Sequence, residues 1–225
     1  MKSVKQLIDL EYSKVIEDGK NYIDEIFETL DKINTEILKH IYQLHPEMLA
    51  IKDNLLIAVR LTECMKIFDW ILMSLLLGSY RSVNKELRFM LESMCQAFYI
   101  DYNHFSTPLE TKFEILKALG NYGIFIGGQL IDKTKLNKSL KKELKEIYGI
   151  LSNYVHPSSE ESKLLLKILE KAKISQSDKL SYILGVNKFD ESSVEQCLSN
   201  CNTVKDLILK INTRFEELYK NNEIP

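Results

Sequence analysis

The chain has 225 residues and a formal net charge of −2. This balance excludes the global positive field that draws a protein onto nucleic acid, so any such binding requires a local patch. Hydrophobic residues make up 45% of the sequence, the level of a globular protein, which excludes global disorder.

The first half of the sequence predicts three helices. Apolar residues recur at helical spacing through residues 3–18 and again through 21–45, with Gly19 as a break between them. A third helix is predicted over about 46–77 and ends at Gly78. Its charged residues drift around the helix, a pattern typical of a central helix that is contacted on several sides.

Two features of this third helix bear on location and assembly. Residues 70–78 (WILMSLLLG) are apolar on all sides, which predicts either the buried centre of a bundle or part of a subunit interface. The apolar run over 55–77 carries too much charge for a membrane span. The N-terminus has no apolar signal-peptide region. We therefore expect a cytoplasmic protein without a membrane partner.

The second half also predicts helices. One covers 79–103, with an apolar stripe formed by Tyr80, Val83, Leu87, Leu91, Met94 and Phe98. Thr107 and Glu110 form a capping box for the next helix, which fades at Gly120–Gly123. The glycine-rich stretch 123–131 predicts a loop or a packed turn.

The remaining helices are predicted from their caps. Asn137 begins a helix that continues to Val155. Ser158 with Glu161 forms a capping box for a following helix, and Ser192 with Glu195 begins the last one, which runs to about Tyr219. The path of 171–191 is left open.

No segment shows the sustained alternation of a strand, and only 8 Gly and 4 Pro interrupt the sequence. We predict an all-α fold of long antiparallel helices in a single domain over 1–225. The core bundle covers about 20–170, and a C-terminal helical extension covers about 171–220.

One candidate site lies at the end of the helix that stops at Pro157. Tyr148, Ser152 and His156 are spaced i, i+4 and i+8, so they share one edge of this helix. The helix C-terminus favours the imidazolium form of His156, which suits a proton donor or an anion contact. The alternative is that His156 and Pro157 only end the helix and Ser152 bonds its own backbone.

The predicted partner of this edge lies in the helix over 79–103. Arg81, Arg88, Glu92 and Tyr99 share one edge beside its apolar stripe. Arg88 and Glu92 are four residues apart and can pair. If Glu92 orients the imidazole of His156 and Arg88 meets an anion, the three residues form a catalytic group. A boundary salt bridge without further function is the alternative.

Residues 75–93 (LLLGSYRSVNKELRFMLES), followed by residues 148–160 (YGILSNYVHPSSE), resemble a group of prokaryotic helical proteins. Their pattern is an Arg-x-x-x-Glu helix and a later Leu-Ser-x-x-Val-His-Pro helix end. That group is similar to the HEPN superfamily of nucleotide-binding helical domains, and the resemblance covers about 55–165.

The resemblance implies a HEPN-like bundle, a homodimer, RNA or nucleotide as a partner, and a setting in defence or mobile elements. Ribonuclease members cleave RNA without a metal at a site formed across a dimer, and they carry an Arg four to six residues before the helix-end His. This sequence has no Arg in the turns before His156. Arg88 would have to supply that cation from another helix.

The cysteines and the lysine-rich segment do not indicate a specific reaction. The cysteines Cys64, Cys95, Cys197 and Cys201 are too scattered for a disulfide framework or a zinc site. No metal site or cofactor is predicted. Six lysines between Lys133 and Lys145 can track phosphates or form a solvated face.

Three functions follow as hypotheses. The first is a HEPN-like protein that acts by dimerisation and by binding a partner, a nucleotide or RNA. The second is a toxin-like, metal-independent endoribonuclease that uses His156 and Arg88. The third is a structural interaction module. In the catalytic hypothesis, Tyr148, Ser152, Arg81 and Tyr99 line the binding surface around His156, Arg88 and Glu92.

Overall fold

The computed structural model describes residues 13, 16–42, 52–121, 128–154 and 190–225. In these ranges all regular secondary structure is helical, which confirms the all-α prediction there. The helices are α1 (Ile23–Tyr42), α2 (Leu56–Leu76), α3 (Tyr80–Asn103), α4 (Leu109–Asn121), α5 (Gly128–Lys133), α6 (Lys138–Ser152) and α7 (Glu191–Lys220). Short 3-10 helices cover Lys20–Tyr22 and Lys52–Asn54.

Helix α3 lies at the centre of the bundle. It packs mainly against α2 and α7, and it also contacts α4, α5 and α6. Its apolar stripe matches the prediction, because all six stripe residues are at most 5% exposed. Helix α2 was predicted to be contacted on several sides, and it packs against α1 and α3 and also contacts α4 and α7. Helix α2 has an exposed side on which Trp70 is 60% and Met73 is 49% exposed.

The turn between α2 and α3 is built around Gly78. Its φ of 66° lies in the left-handed region, where a residue without a Cβ is not strained. The N–H of Gly78 bonds to Leu75 O at 3.0 Å, and the N–H of Ser79 bonds to Ser74 O at 2.8 Å. This is the Schellman arrangement, which ends α2 and turns the chain back so that α2 and α3 run antiparallel.

The start of α2 differs from the prediction. Residues 46–51 lie outside the described ranges, and in the described part the helix begins at Leu56 rather than near Pro46. The carboxylate of Asp101, at the end of α3, accepts hydrogen bonds from Leu56 N at 3.1 Å and Ile57 N at 2.7 Å. The N-terminus of α2 is therefore capped by a side chain 45 residues away, which no local pattern reveals.

Asp101 is itself paired with Lys112 of α4. The Lys112 Nζ lies 2.9 Å from Asp101 Oδ1 and donates to the carbonyl of Asn54 at 2.7 Å. Both charged side chains are 0% exposed. Burial raises the pKa of Asp101, while Lys112 and the two capped N–H groups act in the opposite direction. This pair ties α2, α3 and α4 together.

Helix α7 lies within the predicted C-terminal extension and contributes to the same core as the other helices. Its apolar side chains from Val194 to Leu218 are buried in the common cluster. A buried amide bond joins it to α3, where Asn200 Nδ2 donates to Asn84 Oδ1 at 2.8 Å. Asp190 caps α7 by accepting from Ser193 N at 2.9 Å, so the cap is not the predicted Ser192–Glu195 box.

Several predictions concern segments outside the described ranges. Only residues 13 and 16–18 of the N-terminal helix over 3–18 are described, and they are helical. The predicted loop over 123–131 is helical from Gly128 onward, where α5 buries Leu130 and Ile131. The capping box of Ser158 and Glu161, the residues His156 and Pro157, and the stretch 171–189 lie outside the description.

Candidate functional site

The predicted edges of α3 and α6 face each other. Arg88 of α3 donates from Nε to the Tyr148 hydroxyl at 3.0 Å and from Nη2 to the same oxygen at 2.5 Å. Tyr148 in turn donates to Glu92 Oε1 at 2.5 Å. The predicted pair of Arg88 and Glu92 is present, with 3.2 Å between Nη2 and Oε1. These three residues, here called the Arg88 cluster, form a closed polar network between α3 and α6.

The Arg88 cluster is half-buried, because the Arg88 side chain is 16% and the Glu92 side chain 28% exposed. The guanidinium carbon also lies 4.7 Å from the centroid of the Tyr148 ring, a cation–π distance. Desolvation and the carboxylate of Glu92 raise the pKa of Tyr148 to about 12. The phenol therefore stays protonated at neutral pH and serves as a fixed donor to Glu92.

Behind the cluster lies a small, mainly apolar cavity between α3, α5 and α6. Its volume is about 10 Å³, the space of about one water molecule. Its lining residues are Leu91, Glu92, Cys95, Leu130, Ile131, Leu144 and Tyr148. A nucleotide does not fit into this space. A ligand of the cluster must therefore approach it from the protein surface.

The end of α6 is held by a second arginine of α3. Arg81 Nε donates to the backbone carbonyl of Tyr154 at 2.7 Å, just past the last helical residue. This carbonyl belongs to the group of unpaired acceptors at a helix C-terminus, where a cation is stabilising. Arg81 thus lies beside the backbone that leads to His156, two residues further along the chain.

Ser152, Tyr99 and His156 are the remaining residues of the predicted site. Ser152 Oγ donates to the carbonyl of Tyr148 at 2.6 Å, as expected if it only bonds its own backbone. Tyr99 is half-buried against the core, about two turns from Glu92 along α3. His156 lies outside the described residues, so its proposed meeting with Arg88 and Glu92 stays a prediction.

Four lysines of the lysine-rich segment, Lys138, Lys141, Lys142 and Lys145, lie on α6. Lys145 Nζ lies 2.6 Å from Asp132 Oδ1, and Lys141 Nζ donates to the Asp132 carbonyl at 2.9 Å. Asp132 of α5 was not singled out in the sequence. It holds two lysines in place, whereas in the sequence it is only one of three acidic residues, with Glu143 and Glu146, in a basic segment.

Sequence reasoning also missed the buried ion pair of Asp101 and Lys112. The signal is a charged residue at an apolar position, because Lys112 follows Leu109 and precedes Leu116 on one side of α4. The pair lies in the interior at 0% exposure and has no route to a ligand. We assign it a structural role.

Metal and thiol chemistry find no support in the described part of the chain. The four cysteines are free and buried. Burial raises the pKa of Cys64, Cys95 and Cys197 to about 12 and raises that of Cys201 as well, so the thiolate nucleophile is disfavoured. Among the described residues, no group of three or more His, Cys, Asp or Glu side chains is placed to hold a metal ion.

None of the helices in the described ranges combines the length and apolar character that crossing a membrane requires. In comparisons with known proteins, the chain matches no family model, no curated protein and no solved structure.

Proposed function

We propose that this chain is a HEPN-like helical protein that binds RNA through the edge shared by α3 and α6. The observation that carries the proposal is the pair of contacts from α3 arginines to α6. Arg88 bonds the hydroxyl of Tyr148, and Arg81 bonds the carbonyl of Tyr154. Both guanidinium groups are held beside the segment that ends in His156.

Arginine suits this role because its planar guanidinium matches the geometry of a phosphate and stays charged at any physiological pH. The Arg88 cluster uses Nε and Nη2 of this side chain and not Nη1. Tyr148 fixes the orientation of Arg88, so less side-chain entropy is lost when a phosphate binds. Glu92 offsets part of the charge and thereby limits indiscriminate binding of anions.

The experiment is an RNA-binding titration, followed by the fluorescence anisotropy of a labelled oligonucleotide, for the wild type and for Arg81→Gln, Arg88→Gln and the double variant. Arg214→Gln is the matched control, because Arg214 also pairs with a nearby glutamate, Glu217, at 3.0 Å. We expect at least tenfold weaker binding by the double variant, because it cannot form two charge-assisted hydrogen bonds of about 1.5–3 kcal/mol each. Equal affinities for the double variant and the control would refute the proposal.

The second candidate is the metal-independent endoribonuclease. The observation that favours it is the bond from Arg81 Nε to Tyr154 O, two residues before His156. Arg81 is therefore a second candidate for the cation that the ribonuclease pattern requires, beside Arg88. The test is RNA cleavage in the presence of a chelator. The catalytic hypothesis expects that His156→Ala abolishes cleavage while RNA binding and folding persist.

The dimer and the interaction module rest on a different part of the surface. Trp70 and Met73 of α2 are 60% and 49% exposed, and Phe89 of α3 is 48% exposed. Large aromatic side chains at a surface often mark a protein contact. We propose that two copies of the chain associate through these exposed side chains of α2 and α3, as the likeness to HEPN proteins implies.

A further inference from the structure

A row of four lysines runs along one side of α6. Lys138, Lys141, Lys142 and Lys145 are spaced i, i+3, i+4 and i+7, which places them on one face over about 10 Å of helix. Together with Asp132 and Glu146 they line an open groove of about 500 Å³ beside α5. We refer to these four residues as the lysine row.

Two members of the lysine row are positioned by α5. Lys145 pairs with the Asp132 carboxylate at 2.6 Å, and Lys141 donates to the Asp132 carbonyl at 2.9 Å. Lys142 lies 3.8 Å from Glu146, and its side chain is 79% exposed. Lys138 is exposed and has no polar partner in the described part of the chain. Two of the four lysine side chains are therefore held in place. The nearby carboxylates of Asp132 and Glu146 compensate only part of the positive charge of the lysine row.

The lysine row continues into the proposed RNA site. Lys145 is one helical turn before Tyr148, which belongs to the Arg88 cluster. Gly149 follows on the same side, and a Cβ built on it meets no atom within 4 Å, so the surface there is open. Because Arg88 lies at Tyr148 and Arg81 at Tyr154, the cations follow α6 to its C-terminal end.

The charge along this path is positive although the whole chain has a net charge of −2. Counted over the described residues alone, six cationic side chains and three carboxylates lie along the lysine row, the groove and the two arginine contacts. The cations are Arg81, Arg88, Lys138, Lys141, Lys142 and Lys145, and the carboxylates are Glu92, Asp132 and Glu146. This segregation of charge creates the local patch that nucleic-acid binding requires.

We propose that the lysine row binds the phosphodiester backbone of RNA and extends the arginine site along α6. Lysines act as point charges on phosphates and do not read bases. The described residues that line the groove include no aromatic side chain that could serve as a stacking platform. The row therefore contributes affinity that depends on salt and not on sequence. This inference rests on the proposed function, because it assigns a second part of the same RNA site.

The test compares Lys138→Gln/Lys141→Gln/Lys142→Gln/Lys145→Gln with a control of equal charge change, Lys20→Gln/Lys32→Gln/Lys39→Gln/Lys66→Gln. The control lysines are exposed and lie on α1, α2 or the short helix before α1. Circular dichroism establishes that both variants fold. Dissociation constants for single-stranded and duplex RNA of several sequences are measured between 50 and 200 mM salt, and binding to phosphatidylserine vesicles is measured in parallel.

We expect the lysine-row variant to bind single-stranded RNA at least about tenfold more weakly than the control at low salt, whatever the sequence. In a plot of the logarithm of the association constant against the logarithm of the salt concentration, the variant should give a shallower slope. For each phosphate that it no longer neutralises, the slope should fall in magnitude by about 0.7 on single-stranded RNA or by about 0.9 on a duplex. The form of RNA that shows the larger change is the ligand of the row.

If the lysine-row variant and the control bind equally, while Arg81→Gln/Arg88→Gln binds weakly, the inference is wrong and the proposed function stands. If the wild type binds no RNA, the proposed function fails and the inference fails with it. Vesicle binding that requires the lysine row, without RNA binding, would overturn both in favour of an anionic membrane surface.

Discussion

Lys112 of α4 and Asp101 of α3 form an ion pair of 2.9 Å in which both side chains are fully buried. Removing two charges from water is costly, and this cost is recovered only when the pair and its hydrogen bonds stay complete. Here Asp101 also accepts from two backbone N–H groups, and Lys112 also donates to a carbonyl. This pair therefore contributes to the stability of three helices at once.

Replacing Lys112 should destabilise the protein strongly. Lys112→Met leaves the Asp101 carboxylate buried without its counter-charge, which costs about 3–5 kcal/mol of the free energy of unfolding. The measurement is urea denaturation followed by circular dichroism. Lys117→Met is the control, because Lys117 is exposed in the same helix and should change stability by less than about 0.5 kcal/mol. Similar stabilities for the two variants would contradict the structural role of the pair.

Tyr148 should make stability depend on pH in the alkaline range. The pKa of Tyr148 is about 12 in the folded protein and about 10 when unfolded, so the folded state retains the proton longer. Between pH 10 and 12 the unfolded state loses more protons, and the free energy of unfolding falls as pH rises. Tyr148→Phe should lack this part of the decline. Denaturation curves at pH 9 to 11.5 measure it, and parallel declines for the two proteins would show that the assignment is wrong.

His40 should make the protein less stable as the pH falls into the acidic range. Burial lowers the pKa of His40, and its Nε2 lies 2.9 Å from Asn212 Nδ2, which donates to the neutral ring. The folded state therefore binds fewer protons, so stability is lost as pH falls from about 6.5 through the lower folded pKa. His40→Gln keeps an acceptor and should flatten this loss. The proton NMR titration of His40 provides an independent check, because a pKa at or above 6.5 would exclude the effect.

The four cysteines should be unreactive in the folded protein. Because all are buried with raised pKa values, a thiol reagent such as Ellman's reagent meets neither an accessible sulfur nor a thiolate. We expect less than one thiol per chain to react within minutes at pH 8, and four to react in denaturant. Rapid reaction of two or more thiols in the native protein would disprove the burial of these side chains.

Trp70→Gln should disrupt self-association. The indole is 60% exposed, and its removal deletes the largest exposed apolar side chain of the proposed dimer contact. Sedimentation equilibrium should give a dimer for the wild type and a monomer for the variant. Phe113→Gln is the control, because Phe113 is an apolar side chain that is 38% exposed on α4 and is not part of the proposed contact. A monomeric wild type would exclude the dimer.

Much of the fold followed from the sequence because it depends on local patterns. The apolar stripe of α3, the Asn137 cap of α6 and the Gly78 turn are set by residues close in the chain, and the structure agrees with each. The start of α2 was not predictable, and the sequence left both burial and exposure of residues 70–78 open, because these features depend on which helices become neighbours. Local periodicity does not reveal that a carboxylate 45 residues away completes a helix end.

The candidate site was predictable only in part. The spacing in the sequence placed Arg88 and Glu92 on one edge of α3 and placed Tyr148 on one edge of α6. The structure contains the contact between these two edges. The bond from Arg81 to the Tyr154 carbonyl was not predicted, because it depends on where α6 stops relative to α3. The charge of Asp132 was visible in the sequence, but its position between two lysines required the packing of α5 on α6.

The capping of α2 by Asp101 also constrains the order in which the helices fold. A helix with a local cap can form its first turn early, whereas the first turn of α2 is completed only after α3 has returned the chain past Leu56. Amide protons at the start of α2 should therefore exchange with solvent in the same opening event as those at the end of α3. In this bundle the beginning of one helix is fixed by the end of the next.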